Sequence, residues 1–380
     1  MSQTPEVMHS EAYLVDPKPA PNLNFPLSSS TVIVRVINTT SYVKGSTRLI
    51  LDPHIPGHDE VDCPCFSFLI TNAQGSRHVL FDLGVRKDFE TGIAPTVRKL
   101  IIGDKPLFGV NVERNVADIL DEDSAKIGTS SKDIEAVIWS HHHWDHIGDM
   151  TTFPPSTVLV VGPGFKAQYL PGYPKNPESP LCEADFEGRI VREVDASSFS
   201  FKIGQFPAFD YFGDGSFYLL HSPGHTVGHI CGLARVTPET FIFMGGDCCH
   251  HGGEFRPTEY LPLPKYIAPA PMSRFGLAGC PGAYMVEHVH PKRSATQPFY
   301  DIAQGFSHDH DEAVRSIRKL EEFDANDNVL MCIAHDQTLL GNVAFYPETI
   351  NDWKAKGYGD KVRWAFCGDF KAEPMKGDRE

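Results

Sequence analysis

The residues best suited to chemistry are concentrated in one short stretch of the chain. An apolar run, IEAVIWS, leads directly into the sequence SHHHWDHIGD at residues 140–149. In an extended or turning segment, His141 and His143 project to the same side, and Asp145 and His146 follow around the bend. Imidazoles and a carboxylate that converge in this way are typical ligands of a divalent metal ion. A solvated polar loop would not require such a set at the mouth of a buried strand.

Three further candidate ligands follow later apolar runs. His225 lies in PGHTVGH after the run SFYLLHS, Asp247 ends TFIFMGGD, and His335 lies at the end of NVLMCIAHD. Rigid strands can hold ligands at one rim of a sheet while the loops supply the walls that contact a substrate. The spacing therefore predicts a metal site assembled from the ends of several strands.

With these residues, the chain resembles the metallo-β-lactamase superfamily of dinuclear metallohydrolases, over about residues 32 to 345. Within it, the chain is similar to the N-acyl homoserine lactonase branch and to fungal lactonase-like or lactamase-like hydrolases. The resemblance implies an α/β (α+β) fold, a four-layer αββα sandwich. It also implies a ligand set: His141, His143 and His225 for one ion, Asp145, His146 and His335 for the other, and Asp247 between them. Asp82 in the sequence DLG would support the ligand loop.

The chemistry that this resemblance implies is hydrolysis. Two divalent ions about 3.5–4 Å apart can hold a shared water and lower its pKa towards about 7, which supplies a metal-bridging hydroxide at neutral pH. Asp145 and Asp247 therefore count as catalytic residues as well as ligands. A mixed histidine and carboxylate set suits Zn2+, with Mn2+, Fe2+ and Co2+ as alternatives. The expected reaction opens a small lactone or lactam, in detoxification or secondary metabolism.

One position departs from the bacterial lactonase pattern. Those enzymes carry a tyrosine three positions after the bridging aspartate, where this chain has His250. An imidazole can also donate a hydrogen bond or a proton near neutral pH, so His250 is a candidate catalytic residue. The alternative is that His250 only packs within its loop.

Two other functions share part of this pattern. A thioesterase of the hydroxyacylglutathione hydrolase or polyketide type would use the same ligands, but Ser140 and the pair Gly148-Asp149 depart from the usual flanks of that motif. A catalytically inactive binding protein would be expected to have lost ligands, and all seven are present here. Metal-dependent lactone or lactam hydrolysis is therefore the favoured function.

Short β-branched and aromatic runs predict the elements that position these residues. The predicted strands are 31–40, 47–52, 65–71, 78–84, 134–140, 157–162, 216–222, 229–236, 240–247 and 328–336, and the predicted helices are 113–128 and 311–324. Many strands with few helices favour two sheets with helices outside.

The remaining segments suggest how the chain is organised. Residues 1–30 predict a flexible leader and 31–380 a single hydrolase domain. The long inserts 163–200 and 251–306 are predicted to form substrate walls or a lid. Their aromatic residues favour an apolar or ring-bearing substrate, namely Phe165, Tyr169, Tyr173, Tyr260, Tyr266, Phe275 and Tyr284.

Composition limits the partners. The chain has 380 residues, with 34 Lys and Arg against 49 Asp and Glu and a net charge of −15, which disfavours binding to nucleic acid or to an anionic membrane surface. A small-molecule substrate is expected, and a homodimer is left open. No apolar segment approaches the roughly 20 residues of a membrane helix, and no signal peptide is evident. The nine cysteines without a disulfide pattern favour a reducing, cytoplasmic location.

Overall fold

A computed structural model describes residues 12–268, 270 and 279–370 of the chain. Its strands are β1 (Val32–Ser46), β2 (Leu51–Asp52), β3 (Glu60–Asn72), β4 (His78–Phe81), β5 (Gly109–Asn111), β6 (Ala136–Ile138), β7 (Val158–Val161), β8 (Val191–Glu193), β9 (Phe201–Ile203), β10 (Phe206–Asp210), β11 (Phe217–His221), β12 (Ile230–Arg235), β13 (Phe241–Met244), β14 (Tyr266–Ile267), β15 (Cys280–Pro281), β16 (Asp301–Ile302) and β17 (Val329–Cys332). Its α-helices are α1 (Thr47–Ile50), α2 (Phe89–Gly92), α3 (Pro95–Ile101), α4 (Val116–Glu122), α5 (Ser124–Ile127), α6 (Trp144–Ile147), α7 (Phe165–Tyr169), α8 (Gly282–Tyr284), α9 (His310–Asp324) and α10 (Tyr358–Val362).

Two large mixed sheets form the centre of the molecule. The first has seven strands in the order β5-β1-β3-β4-β6-β7-β8, and the second has six in the order β17-β13-β12-β11-β10-β9. β1 pairs with β3, and β11 with β12, in antiparallel orientation. β4 pairs with β6, and β13 with β17, in parallel orientation. The parallel pairs place the ends of strands that are distant in sequence side by side.

The main apolar core lies between the two sheets. Val34, Phe68 and Ile138 of the first sheet face Leu219 and Ile242 of the second, and all five are buried. Because successive strand residues point to opposite faces, the intervening apolar residues are left on the outer face of each sheet. Each outer face therefore needs its own cover.

Helices provide that cover on both sides. Ile119 and Leu120 of α4 pack on the outer face of the first sheet, and Ile317 and Leu320 of α9 pack on the outer face of the second. The α9 residues follow helical spacing, and Asp309 caps the helix by accepting the Glu312 N–H. These layers confirm the predicted αββα sandwich.

Two predicted elements differ from the structure. The predicted strand 47–52 is α1 followed by the two-residue β2, because Thr47 bonds through its backbone and hydroxyl to Asp59 and His58 and turns the chain out of the sheet. The predicted helix 113–128 is divided into α4 and α5, and Asp123 between them has φ −97° and ψ 6°.

The predicted leader is described from residue 12 onwards. It contains no strand or helix there up to residue 31 apart from one isolated bridge of Tyr13 with Pro264, and Leu23 is buried beneath the second sheet. The boundary between leader and domain remains a prediction. Among the described residues, no helix has both the length and the apolar character needed to cross a bilayer.

We expect the close approach of Gly224 to α9 to stabilise the fold. Gly224 has φ 126°, and a Cβ there would lie 2.2 Å from the Ala313 nitrogen of α9. Gly224→Ala should therefore lower the free energy of unfolding by about 2–4 kcal/mol, measured by urea denaturation. Gly128→Ala is the matched control, since Gly128 has φ 71° with no described neighbouring atom within 4 Å. Equal losses in the two variants would contradict a role for the α9 contact.

Candidate metal centre

The seven predicted ligands lie together at one edge of the sandwich. They follow the carboxyl ends of strands from both sheets: the histidine-rich segment follows β6, His225 follows β11, Asp247 follows β13, and His335 follows β17. Backbone hydrogen bonds join these turns, including Ile230 N–H to Ser140 O at 2.9 Å and Ala334 N–H to Gly246 O at 3.2 Å. The two sheets thus fix the ligands relative to one another.

One group of ligands consists of His141, His143, His225 and Asp247. One candidate ligand atom from each residue lies within 4.8 Å of those of the others. The Asp247 Oδ2 atom is 3.6 Å from His141 Nε2 and 3.5 Å from His225 Nε2, and His225 Nε2 is 3.0 Å from His143 Nδ1. Three imidazoles and a carboxylate are a sufficient donor set for one divalent ion.

A second group shares the same aspartate. Asp247 Oδ1 is 3.0 Å from His146 Nε2 and 3.1 Å from His335 Nε2. Asp145 adjoins this group, with its Oδ2 atom 3.5 Å from His335 Nε2 and its Oδ1 atom 4.0 Å from His146 Nε2. The two oxygens of Asp247 therefore face two different sets of imidazoles, as the predicted bridging position requires.

Asp82 supports the histidine-rich segment through hydrogen bonds. It is buried, and its two oxygens accept hydrogen bonds from the Ser140 N–H and hydroxyl, each at 2.7 Å. Its Oδ2 atom also lies 2.9 Å from His146 Nδ1, which leaves Nε2 of His146 free to face Asp247. A carboxylate in this position fixes the ring orientation and the tautomer of a metal ligand.

Similar contacts orient other ligands. His335 Nδ1 lies 3.0 Å from the Pro64 carbonyl, so its Nε2 atom is directed into the site. His229 Nε2 accepts the Asp247 N–H at 3.0 Å and its Nδ1 atom contacts the Ser222 hydroxyl at 2.8 Å. His229 therefore supports the Asp247 backbone.

Burial and charge divide the imidazoles into two kinds. Burial lowers the pKa of His141 and His225 well below the usual range, and neighbouring imidazoles lower it further. Burial opposes charge on His146 and His335 as well, but Asp247 acts together with Asp82 and Asp145 on His146 and with Cys65 on His335, and the pKa of both imidazoles is raised well above the usual range. The pKa of Asp247 is held well below its usual range because these imidazoles outweigh its burial. The site thus contains a buried ionised carboxylate surrounded by imidazoles.

These residues fit a pair of divalent ions. Among the described residues, His141 Nε2 and Asp247 Oδ1 are buried polar atoms without a hydrogen-bond partner, although both face other candidate ligand atoms. Leaving such atoms unsatisfied is costly, and coordination of a metal ion is a common way to satisfy them. The donor chemistry agrees with zinc and with several other divalent metals.

The structure places His250 against the bridging aspartate. Its Nε2 atom lies 3.2 Å from Asp247 Oδ2, and its ring meets Phe306 edge-on with centroids 4.9 Å apart. Its backbone N–H donates to buried Glu254. By contrast, His142 turns away from the ligands and stacks on Tyr169 with centroids 4.0 Å apart.

Two cysteines lie close to the candidate metal centre. Cys63 and Cys65 are buried in β3, and the Cys65 thiol groups with Asp145 and His335 within 4.8 Å. The signal was the alternation of the sequence CPC, which places both side chains on one face of β3. This alternation could not indicate a role at the site, because only the folded chain brings β3 next to the turn after β17.

A second polar cluster could not be recognised from the sequence. His251 Nε2 lies 3.1 Å from Asp369 Oδ2, and its Nδ1 atom accepts the Gly253 N–H. His251 in its neutral form therefore carries its proton on Nε2 and donates it to Asp369, so that this nitrogen has no lone pair for a metal. Nearby, His58 contacts the Tyr300 hydroxyl at 2.8 Å, and burial lowers its pKa to about 4. This cluster is a hydrogen-bonded network.

Two cavities adjoin the metal centre and share Val61, Cys63, His250 and His335 in their linings. The larger, about 590 Å³, is lined by polar groups including His58 and several carboxylates. The smaller, about 320 Å³, contacts the candidate ligands and is otherwise largely apolar; its non-ligand wall includes Val43, Ile50, Leu51, Val97, Leu100, Phe108, Trp144, Pro180 and Phe306.

The two long inserts contribute little to the apolar cavity. Pro180 and Phe306 come from them, whereas the other wall residues come from α1, β1–β3, the segment around α3 and the start of α6. Of the seven aromatic residues predicted to favour a ring-bearing substrate, Phe275 lies outside the described residues and the other six do not line this cavity. Phe165 and Tyr169 pack instead into the outer core, and the idea that the aromatic residues of the inserts favour an apolar substrate stays a prediction.

The chain is similar to several known proteins. The family model described as metallo-beta-lactamase superfamily matches residues 61–237. Metallo-hydrolase mfmC of Annulohypoxylon moriforme is 45% identical, over 93% of this chain and 91% of its own length. Gamma-lactamase FDB1 of Fusarium pseudograminearum is 43% identical, over 92% of this chain and 85% of its own.

A longer relative and a solved structure extend the comparison. The chain is 45% identical to cytochrome P450 monooxygenase mpaDE of Penicillium roqueforti over 94% of this chain, and spans only 40% of that relative's length. A crystal structure of an N-acyl homoserine lactone hydrolase, with N-hexanoyl-L-homoserine bound at its catalytic metal centre, superposes with a TM-score of 0.54 at 15% identity. It covers 86% of this chain and all (100%) of the hydrolase. At this identity, the likeness supports the fold alone.

We expect Asp82 to tune metal affinity without contacting the metal. Asp82→Ala removes the acceptor of the His146 Nδ1–H and should weaken binding of the more tightly held zinc ion by about 10–100-fold, measured by competition with a chelator. Asp133→Ala is a suitable control because Asp133 caps the short turn before β6 and lies away from the ligands. The same loss of affinity in both variants would indicate a general effect on β6.

Proposed function

The chain belongs to the metallo-beta-lactamase superfamily, and from this we propose that it is a dinuclear metal-dependent hydrolase that opens small lactones or lactams. The observation that carries the proposal is the position of Asp247. Its two carboxylate oxygens face separate groups of imidazoles at distances of 3.0 to 3.6 Å. This is the arrangement that two adjacent ions with a common carboxylate ligand would need.

We propose that His141, His143 and His225 hold one ion and that Asp145, His146 and His335 hold the other. Two divalent ions, with zinc as the proposed metal, would supply Lewis acidity and an activated water at neutral pH. The protein holds the donors rigid through the hydrogen bonds of Asp82 and Pro64, so that little reorganisation is needed during reaction. The apolar wall of the smaller cavity excludes water from the side of the bound substrate.

His250 is the proposed donor to the substrate. It lies beside Asp247 on the wall shared by both cavities, where an attacked carbonyl or a departing group would come within reach. Coordination of Asp247 Oδ2 by a bound ion would release the His250 Nε2–H from that oxygen, and this N–H could then stabilise negative charge on the carbonyl oxygen or protonate the leaving oxygen or nitrogen. Its edge-on contact with Phe306 limits rotation of the ring.

The relatives and the cavity favour a cyclic ester or amide. One relative is named a gamma-lactamase. An apolar cavity of about 320 Å³ suits a compact substrate with few charges. Detoxification or secondary metabolism is the proposed setting, and residues 31–380 the proposed hydrolase domain.

A substrate screen tests the reaction class. Protein loaded with zinc or manganese should hydrolyse members of a panel of γ- and δ-lactones and lactams, and metal analysis should find about two ions per chain. Asp247→Asn, with retained circular dichroism, should lose metal and activity together. Turnover of thioesters alone would favour a thioesterase, and a folded protein that binds no metal would refute both functions.

A pair of substitutions tests His250. His250→Ala should lower kcat by about 100-fold or more while leaving the metal content unchanged, because the donor is lost and the ligands remain. His250→Gln keeps an N–H donor but cannot transfer a proton, so it should match His250→Ala if His250 protonates the leaving group and retain more activity if His250 only stabilises the carbonyl oxygen. His288→Ala, at an exposed imidazole on the surface, should retain wild-type kcat. Unchanged turnover in both His250 variants would show that His250 only packs within its loop.

A further inference from the structure

The floor of the apolar cavity is built from one face of two neighbouring strands. Val43 of β1 pairs with Cys63 of β3, and Gly45 pairs with Val61. Because side chains alternate along a strand, Val43 and Gly45 share a face of β1, and Val61 and Cys63 share a face of β3. Val43, Val61 and Cys63 all line the cavity. Gly45 adjoins these three residues on the same face of the sheet and has no side chain.

An aromatic ring occupies the space above Gly45. A Cβ at Gly45 would lie 2.8 Å from Cδ1 and 3.0 Å from Cε1 of Phe108. Gly45 lies within β1 and is not among the glycines with positive φ, so backbone conformation does not require glycine here. The missing side chain at Gly45 leaves room for the Phe108 ring. This ring lines the cavity and packs near Trp144, with ring centroids 6.4 Å apart.

The backbone holds Phe108 in this place. The Leu107 and Phe108 N–H groups donate to the Leu100 carbonyl at the end of α3, at 2.8 and 3.3 Å. Immediately after Phe108, β5 pairs with β1, with Gly109 opposite Lys44. Phe108 is therefore fixed on both sides, and its ring forms a wall whose position depends on the empty space at Gly45.

We propose that the Gly45–Phe108 pair sets the size limit for the apolar substituent of the substrate. The inference rests on the proposed function, because it assumes that the reacting carbonyl binds at the metal centre. The substituent then extends between the β1–β3 floor and the Phe108 and Trp144 rings. The substrate class is a lactone or lactam that bears an uncharged alkyl or aryl group, and the largest group accepted is the one that reaches Phe108.

A ligand series measures this limit without relying on turnover. Linear alkyl hydroxamic acids, whose head groups chelate metal ions, are titrated into the metal-loaded protein by calorimetry, with chains extended one methylene at a time. Affinity should rise by about fourfold per methylene, as expected for burial of a CH2 group, until the chain fills the cavity and the rise stops. The length at which it stops is the measured quantity.

Four variants locate the limit. In Phe108→Ala the rise should continue to longer chains, and in Gly45→Ala, which displaces the ring, it should stop at a shorter chain. The double variant should behave like Phe108→Ala, because the clash is relieved, and circular dichroism of the single Gly45→Ala variant checks that it folds. Leu107→Ala is the matched control, because this neighbouring side chain is 51% exposed and does not line the cavity. It should keep the wild-type limit.

The outcomes separate the size limit from the reaction. If affinity stops rising at the same chain length in wild type, Phe108→Ala and Gly45→Ala, at equal metal content, the role of the pair is overturned. An equal change of this chain length in Leu107→Ala would overturn it as well. The same variants are then assayed with γ-lactones carrying alkyl groups of increasing length, and kcat/KM should show the same limits. Shifted hydroxamate limits without any lactone or lactam turnover would support the pair and refute the proposed reaction.

Discussion

The structure depends on the burial of one carboxylate. Asp247 is 3% exposed, and an ionised group at that depth is tolerated only if opposite charge and hydrogen-bond donors surround it. Imidazoles from both sheets converge on its two oxygens, and its own backbone N–H is bound by His229. The turn that carries it needs Gly246, at φ 51°, where a Cβ would lie 2.8 Å from the Ser140 side chain. The ligand turns are packed too closely for any of them to move independently.

The sandwich explains why these turns meet. Parallel pairing of β4 with β6 and of β13 with β17 places the carboxyl ends of distant segments at the same edge. The apolar core between the sheets then holds the two edges together, while contacts such as Phe66 N–H to Ala334 O join β3 to the turn after β17. Catalytic geometry in this protein therefore follows from ordinary sheet packing, and few interactions serve the site alone.

Local signals predicted the parts of the site that lie close together in sequence. His141, His143 and His146 could be recognised because three imidazoles and a carboxylate within one turn are rarely found except where they bind a metal. The two-sheet fold followed from the number of short strands and from the family resemblance. The strand predicted at 47–52 failed because a tertiary contact, Thr47 with His58, overrides the β propensity of the segment. Phe108 and Cys65 carried no usable signal, because their roles arise from strand register that only the folded chain provides.

The candidate ligands and the apolar wall come largely from different parts of the chain. The ligands follow strands of the central sheets, whereas Leu100, Phe108, Pro180 and Phe306 belong to segments attached to the outside of that framework. Substitutions in these outer segments can therefore reshape the space for a substrate while the donor atoms keep their positions. A fold divided in this way can acquire new substrates by gradual change, since selectivity and catalytic competence need not be altered by the same mutation.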